Sequence, residues 1–171
     1  TWYPKGGMYE IVDAMVSLAK EKGVHFEFNS EVRELTMNST KIKEIQINGS
    51  KSVKVDAVVA GADYHHVEQN LLPPKFRKYT ESYWQSRKLA PSSIIFYLGV
   101  NKKLDNLLHH NLFFDEDFER HTKEIYQSPQ WPTAPLFYVC CPSKTDDTVA
   151  PKDAENLFIL IPVAPGLADD E

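Results

Sequence analysis

Two pairs of adjacent histidines are the residues that most invite a metal-site interpretation. Histidine binds zinc when further histidines, cysteines or carboxylates complete a set of three or four ligands. Adjacent side chains point in different directions on most backbones, and nothing near either pair in the sequence completes such a set. We therefore expect partly exposed histidines and no metal site at His65-His66 and His109-His110.

The only two cysteines, Cys140 and Cys141, are adjacent in one apolar run. On a strand they would point to opposite faces, so a disulfide between them is not expected. No base lies close to them in the sequence, which favours a core strand over a catalytic nucleophile. Free thiols of this kind fit a reducing compartment.

Other reactive patterns are incomplete. The acidic pairs Asp146-Asp147 and Asp169-Asp170 are interpreted as solvated loop charges, because a paired-carboxylate hydrolase needs spaced carboxylates in a cleft. The sequence has neither a G-x-G-x-x-G fingerprint nor a P-loop. Gly6-Gly7 precedes a helical pattern and could bring backbone close to a ligand, or could simply form a tight turn.

Composition sets the broad class. The 171 residues are 42% hydrophobic and 25% charged, as in an ordinary globular domain, and the net charge of -5 gives no reason to expect nucleic acid binding. Aromatic residues make up 12%, which suggests a thick core or an apolar cleft. No run approaches the roughly 20 apolar residues of a membrane span. Both ends have the character of cuts in a longer protein.

Periodicity predicts helices and strands in the first half. Apolar residues at three-and-four spacing predict a helix with one buried face over residues 8–19, capped by Gly23. Alternation predicts a strand over residues 24–28, and Asn48-Gly49 predicts a hairpin turn after a bulge near Lys43-Glu44. The unbroken apolar run over residues 57–60 predicts a strand buried on both faces.

The second half predicts a sheet with interleaved helices. Asp63 is placed to cap a short helix that Pro73-Pro74 ends. The aromatics of the next predicted helix could line an apolar channel or fill a core; they are Phe76, Tyr79, Tyr83 and Trp84. Strands are predicted over residues 92–100, 112–114, 136–141 and 157–163, with Asp115 or Asp117 capping a helix between them. The fold class is α+β, with a mixed sheet and flanking helices.

A family resemblance runs through nearly the whole chain in order. The segment Trp2-Tyr3-Pro4-Lys5-Gly6-Gly7-Met8, followed by a helix and Gly23-Val24, resembles phytoene desaturases, carotenoid isomerases and retinol saturases. Four further segments resemble the same group of proteins: Asn29-Ser30-Glu31-Val32, Gly61-Ala62-Asp63, His109-His110 and the turn over residues 142–146.

The resemblance implies a substrate-side part of a two-domain FAD oxidoreductase that desaturates, isomerises or saturates a long isoprenoid polyene. Residues 1–63 would contribute to the interface with the FAD domain, and residues 64–171 would form the substrate domain. The resemblance further implies cofactor contacts at Val32, Ala60, Gly61, Ala62 and Asp63. It implies that four residues lie near the meeting of flavin and substrate, namely Trp2, Tyr3, Gly6 and Gly7.

The glycine fingerprint of the family is absent from this chain, so FAD is expected in the full-length protein and not on this chain alone. The expected partners are an apolar polyene and the missing FAD-binding segments, and an exposed apolar face could make the chain self-associate. A cytoplasmic location, with peripheral membrane contact, suits a lipid-soluble substrate. Two alternatives stay open: an amine-oxidase-type flavoprotein, and a non-catalytic module that binds an apolar ligand or a protein.

Overall fold

The computed structural model describes residues 2–168. Its elements, in chain order, are α1 (Tyr9–Glu21), β1 (Val32–Asn38), β2 (Lys41–Ile47), β3 (Lys51–Lys54), α2 (Tyr64–His66), a π turn (Val67–Leu71), a 3-10 turn (Pro74–Phe76), α3 (Glu81–Gln85), β4 (Ser92–Val100), β5 (His110–Phe113), α4 (Phe118–Tyr126), β6 (Phe137–Cys140), a second 3-10 turn (Pro142–Lys144) and β7 (Glu155–Val163). The predicted α+β class is confirmed.

The chain divides into two compact units. Residues 25–88 form the smaller unit, and the residues up to 24 form the larger one together with those from 89 onward. The sequence analysis divided the chain at residue 63 by function, into a part that meets the FAD domain and a substrate domain. These two functional roles remain predictions.

The smaller unit contains an antiparallel sheet with the order β1-β2-β3. Thr36 pairs with Glu44 and Met37 with Ile42, so Lys43 is the extra residue of a bulge, as predicted. The hairpin turn between β2 and β3 is also confirmed. Asn48 and Gly49 have φ angles of 51° and 72°, the left-handed conformation that such a turn requires.

A buried carboxylate organises the rest of the smaller unit. Glu68 is 1% exposed and accepts hydrogen bonds from the backbone N–H groups of Lys78 (2.6 Å) and Tyr79 (3.2 Å) and from Trp84 Nε1 (3.1 Å). Burial alone would raise the pKa of Glu68, but these donors outweigh it and the pKa lies below its ordinary value. Asp63 caps α2 through the N–H of His66, as predicted.

Two predicted strands are wrong. Residues 24–28 and 57–60 are not strands, and Val59 is 98% exposed instead of buried. The N–H of Val24 closes the end of α1 by donating to Ala19 O. Within the described residues neither segment has a neighbouring strand. Without backbone hydrogen bonds to such a strand, the extended conformation of an apolar segment is not stabilised. The predicted aromatic helix is also shorter, because α3 begins only at Glu81, where Thr80 provides the cap.

The larger unit is built on a four-stranded sheet with the order β4-β7-β6-β5. Its strand pairs are all antiparallel among the described residues, so the sheet is not mixed as predicted. The predicted cap of α4 is Asp117, which accepts from the N–H groups of Glu119 and Arg120. His121 connects α4 to the sheet through two hydrogen bonds. Its Nδ1 accepts from Leu136 N (3.1 Å). The proton is therefore on Nε2, which donates to Pro162 O (2.9 Å).

Helix α1 forms where predicted, and Gly23 ends it with a φ of 80°. The expected burial of its apolar face is wrong. No residue of α1 is buried, and Met15 and Leu18 are 67% and 56% exposed. Helix formation here follows local periodicity, whereas burial needs a packing partner that the described residues do not supply.

Candidate functional site

One face of the four-stranded sheet carries two cross-strand rows of side chains. Residues directly opposite each other in antiparallel strands point to the same face, so the strand register defines these rows. The first row is Ile95, Leu160, Tyr138 and Leu112, and the second is Tyr97, Phe158, Cys140 and His110. None of the eight side chains carries a fixed charge. We call this face the sheet groove.

The sheet groove is open and apolar. Tyr97 is 78% exposed and Leu112 is 64% exposed, although both belong to strands of the main sheet. Tyr97 and Tyr138 pack against Phe158 with ring-centroid distances of 5.4 Å and 6.2 Å. Two cavities of about 550 Å³ and about 790 Å³ lie along the groove, and Tyr138 lines both. Each volume is in the range of a small-molecule site.

Helix α4 borders one cavity and the loop at residues 2–8 borders the other. The side toward α4 is lined by Phe118, Thr122 and Ile125. The side toward the loop is lined by Tyr3, Gly7 and Met8. The groove therefore runs between a helix and a glycine-containing loop, with the sheet as its floor.

A polar cluster lies at the β5 end of the groove. The His109 and His110 ring centroids are 4.4 Å apart, and Tyr3 meets His109 edge-to-face at 4.8 Å. His110 Nδ1 is 2.7 Å from Tyr138 Oη. Burial, and then a hydrogen bond with Cys140, raise the pKa of Tyr138 to about 12. Tyr138 is therefore a neutral hydroxyl at physiological pH.

Asp146 holds the loop at residues 2–8 at the β5 end of the groove through hydrogen bonds. Its Oδ2 accepts from Gly6 N at 2.7 Å, and its Oδ1 accepts from Thr148 N and Oγ1. The hydrogen bonds from Thr148, and then from Gly6, lower the pKa of Asp146. At 4% exposed, Asp146 is a structural carboxylate and not the solvated loop charge that the sequence suggested, whereas Asp147 is exposed as predicted. Asp169 and Asp170 lie outside the described residues.

Gly7 is required by backbone conformation, which gives a first prediction. Its φ is 102°, and a Cβ there would lie 3.7 Å from Tyr3 Oη. Gly7→Ala should lower the free energy of unfolding by about 1–2 kcal/mol, because an L side chain is strained in this conformation. Gly61→Ala is the matched control, because nothing lies within 4 Å of a Cβ there. Urea titrations that show equal changes for both variants would contradict the prediction.

A second buried carboxylate supports the same end of the sheet. Glu155, at the start of β7, is 2% exposed. It accepts from Lys144 Nζ (2.7 Å) and Ser143 Oγ (2.5 Å), both in the turn that leads to Thr145 and Asp146. These two hydrogen bonds lower the pKa of Glu155 to about 2. Glu155 therefore holds the turn that immediately precedes Asp146.

The structure brings together part of the predicted substrate site. Tyr3 and Gly7 both line the groove, and Gly6 is held beside them by Asp146. Trp2 is fully exposed and lines neither cavity. These substrate roles remain predictions.

The predicted cofactor residues belong to the smaller unit. Val32 begins β1, and residues 60–63 form an exposed segment without regular structure. Small exposed side chains here leave the backbone open to approach, which fits a backbone contact with a cofactor. Their cofactor role is likewise a prediction.

Sequence reasoning set aside His109, His110 and Cys140, which the structure places in one cluster. No cysteine lies near the histidine pair in the sequence, but the fold brings Cys140 to it. Cys140 stands directly opposite His110 in the β5–β6 ladder, although 30 positions separate them in the sequence numbering. The adjacency of the two histidines was visible in the sequence, but no local pattern reveals the strand register that brings Cys140 to them.

Residues 1–167 match the family described as flavin containing amine oxidoreductase. The chain belongs to this family. It is 41% identical over 170 residues to the carotenoid 3,4-desaturase of Haloarcula japonica, covering 99% of the chain and 34% of the relative. It is 32% identical to the zeta-carotene-forming phytoene desaturase of Myxococcus xanthus, covering 95% of the chain and 31% of the relative.

A third relative is the phytoene desaturase of Phycomyces blakesleeanus, at 32% identity over 95% of the chain and 28% of the relative. The chain thus spans about a third of the length of these relatives. The resemblance to phytoene desaturases is confirmed, and the family implies a flavin cofactor. Among the described residues, no helix is long and apolar enough to cross a membrane.

Proposed function

We propose that this chain supplies the polyene-binding sheet of an FAD-dependent carotenoid or phytoene desaturase. The observation that carries the proposal is the sheet groove, where two rows of mostly aliphatic and aromatic side chains form an open floor. A long hydrocarbon gains free energy in proportion to the apolar area that it covers, about 25 cal/mol per Å². The printed names of the relatives supply the substrate class.

The groove favours a polyene over an amine. A cationic amine loses its hydration when it is buried, and a carboxylate is the group that compensates this loss most strongly. The eight residues of the two rows include no acidic residue, and no carboxylate of residues 2–168 lines either cavity of the groove. Two of the polar groups in the rows, Tyr138 and His110, form a hydrogen bond with each other.

In the proposed enzyme the residues of this chain orient the polyene and exclude water. When bound, FAD would supply the oxidising chemistry by accepting hydride equivalents from the polyene. The exposed segment over residues 60–63, together with Val32, would provide backbone contacts to FAD. The loop that holds Tyr3, Gly6 and Gly7 would lie where polyene and flavin meet.

The test uses the full-length protein, purified without denaturation and mixed anaerobically with phytoene or a related carotenoid. We expect a flavin absorption spectrum that bleaches on adding the polyene. Bound flavin that stays oxidised with every polyene and bleaches with an amine would favour the amine-oxidase alternative. Absence of flavin even after incubation with excess FAD would favour a non-catalytic binding module.

A lipid-soluble substrate also favours contact with a membrane surface. We propose peripheral association of the full-length protein, because a carotenoid must enter the groove from a lipid phase. Flotation with liposomes would show it, and full recovery in the lipid-free fraction would count against it.

A further inference from the structure

We propose that His109, His110 and Cys140 bind a transition-metal ion of the zinc class at the β5 end of the sheet groove. Each residue offers one donor atom, and these three atoms lie within 4.8 Å of one another. In a tetrahedral zinc site, bond lengths of about 2.0–2.3 Å place ligand atoms roughly 3.3–3.6 Å apart. The observed spread of up to 4.8 Å exceeds this range by about 1 Å. Side-chain movements of that size would bring the three donor atoms to bonding distance from one ion.

The imidazole of His109 is prepared for this role. Its Nδ1 lies 2.5 Å from Thr145 Oγ1, and the Thr145 hydroxyl is 3.5 Å from Pro142 O. If the hydroxyl proton goes to that carbonyl, the ring donates from Nδ1 and its Nε2 keeps a free lone pair. His109 Nε2 is a buried atom without a hydrogen-bond partner among the described residues. An unpaired buried nitrogen costs free energy, which a bound ion would recover.

His110 has the corresponding arrangement. Its Nδ1 lies 2.7 Å from Tyr138 Oη. If that hydrogen bond is kept, Nε2 is the nitrogen that would bind an ion. Histidines that bind metals usually use one ring nitrogen and hydrogen-bond through the other, which fixes the orientation of the ring. Thr145 and Tyr138 are therefore placed to orient the rings of His109 and His110 for metal binding.

Cys140 supplies the third ligand and narrows the choice of ion. A thiolate with two imidazoles suits zinc or copper, and disfavours magnesium and calcium, which prefer oxygen ligands. The adjacent cavity of about 480 Å³ has room for a water molecule as the fourth ligand. The charges that line this cavity are the cation Lys5 and the anions Asp146 and Asp147.

An ion here would have a consequence for the proposed function. It would bring charge and bound water to the end of an apolar groove, and would so oppose polyene binding. This part of the inference rests on the proposed function, whereas metal binding itself does not. Binding is therefore measured without polyene or turnover.

The experiment titrates the reduced full-length protein with Co²⁺ and then displaces the Co²⁺ with Zn²⁺. We expect tetrahedral cobalt bands and a near-ultraviolet thiolate-to-cobalt charge-transfer band. Cys140→Ser should abolish the charge-transfer band, and His110→Ala should weaken binding at least 100-fold. Thr145→Val should weaken it about 10- to 100-fold through the orientation of His109.

Two matched controls separate the cluster from its surroundings. Cys141→Ser changes the neighbouring thiol, which faces Ser143 and Glu155, and should leave the charge-transfer band in place. His65→Ala removes one member of the other histidine pair and should leave cobalt affinity within twofold. His110 is exposed, so its replacement should not unfold the protein, and circular dichroism checks this.

Two results would overturn the proposal. One is cobalt binding without a thiolate band in the reduced wild-type protein, or no cobalt binding at all. The other is a band that survives Cys140→Ser. Either result can occur while the polyene still bleaches the flavin, so failure of the metal site would be distinct from failure of the proposed desaturase activity.

Discussion

Leu112→Asp should raise the KM for a polyene about 100-fold or more in the full-length flavoprotein. Leu112 lies in the first row of the sheet groove, directly opposite Tyr138. A carboxylate there must lose its hydration when a hydrocarbon covers it, at a cost of several kcal/mol. Each 1.4 kcal/mol corresponds to a factor of ten in affinity. Because Leu112 is 64% exposed in this chain, the substitution should change stability little.

Leu108→Asp is the matched control for this prediction. Leu108 lies four positions earlier in the chain, is 73% exposed and lines neither cavity of the groove. Its replacement should leave KM within about twofold, in the usual range of surface substitutions. Steady-state kinetics with a detergent-dispersed carotenoid would measure both. Equal effects from the two variants would mean that the polyene does not lie on this face.

Lys144→Met should lower the free energy of unfolding by about 3 kcal/mol. The variant leaves the Glu155 carboxylate, whose side chain is 1% exposed, without its nearest cation. Removing one partner of a buried ion pair typically costs about 3–5 kcal/mol, because the remaining charge is buried and unpaired. Ser143 still donates to Glu155, which places the expected cost at the lower end.

Lys103→Met is the control, because its Nζ lies 3.8 Å from Glu155 and its side chain is 47% exposed. It should cost less than about 1 kcal/mol. Replacing both partners in Lys144→Met/Glu155→Leu should recover most of the loss. Urea titrations measure all three variants, and similar losses for Lys103→Met and Lys144→Met would contradict the assignment.

The same carboxylate gives a pH dependence with a definite sign. The pKa of Glu155 falls from its ordinary 4.5 to about 2 in the folded chain. Its contribution to stability is therefore complete above about pH 4.5 and is lost as the pH falls toward 2. The stability difference between the wild type and Glu155→Gln should shrink across this window. A difference that grows as the pH falls would contradict the pKa.

Features fixed by neighbouring residues could be predicted from the sequence. The Asn48-Gly49 turn, the Asp63 and Asp117 caps and the Gly23 helix end each depend on contacts within a few positions, and each is confirmed. The apolar runs that became β4, β6 and β7 were also recognised, because side-chain alternation and length suffice to identify a strand.

Features that depend on distant partners were missed. The apolar run over residues 57–60 has the composition of a strand, but strand formation needs a neighbour to pair with. The cluster of His109, His110 and Cys140 depends on the register of β5 against β6, which no local pattern encodes. The role of Asp146 was missed for the same reason, since its partner Gly6 lies 140 positions away.

The outer edge of β4 has a consequence for handling the isolated chain. Among residues 2–168, β4 pairs on one side only, with β7, along nine consecutive residues that include no charged side chain. Natural edge strands are commonly protected against strand addition by lysine, proline or a bulge. The regular nine-residue register of β4 has none of these, so its free N–H and C=O groups form a template onto which a second molecule can add a strand.

We therefore expect the isolated chain to aggregate by edge-to-edge pairing as its concentration rises. Phe96→Lys places a charge at a position of this edge strand that is 46% exposed, and should delay the aggregation.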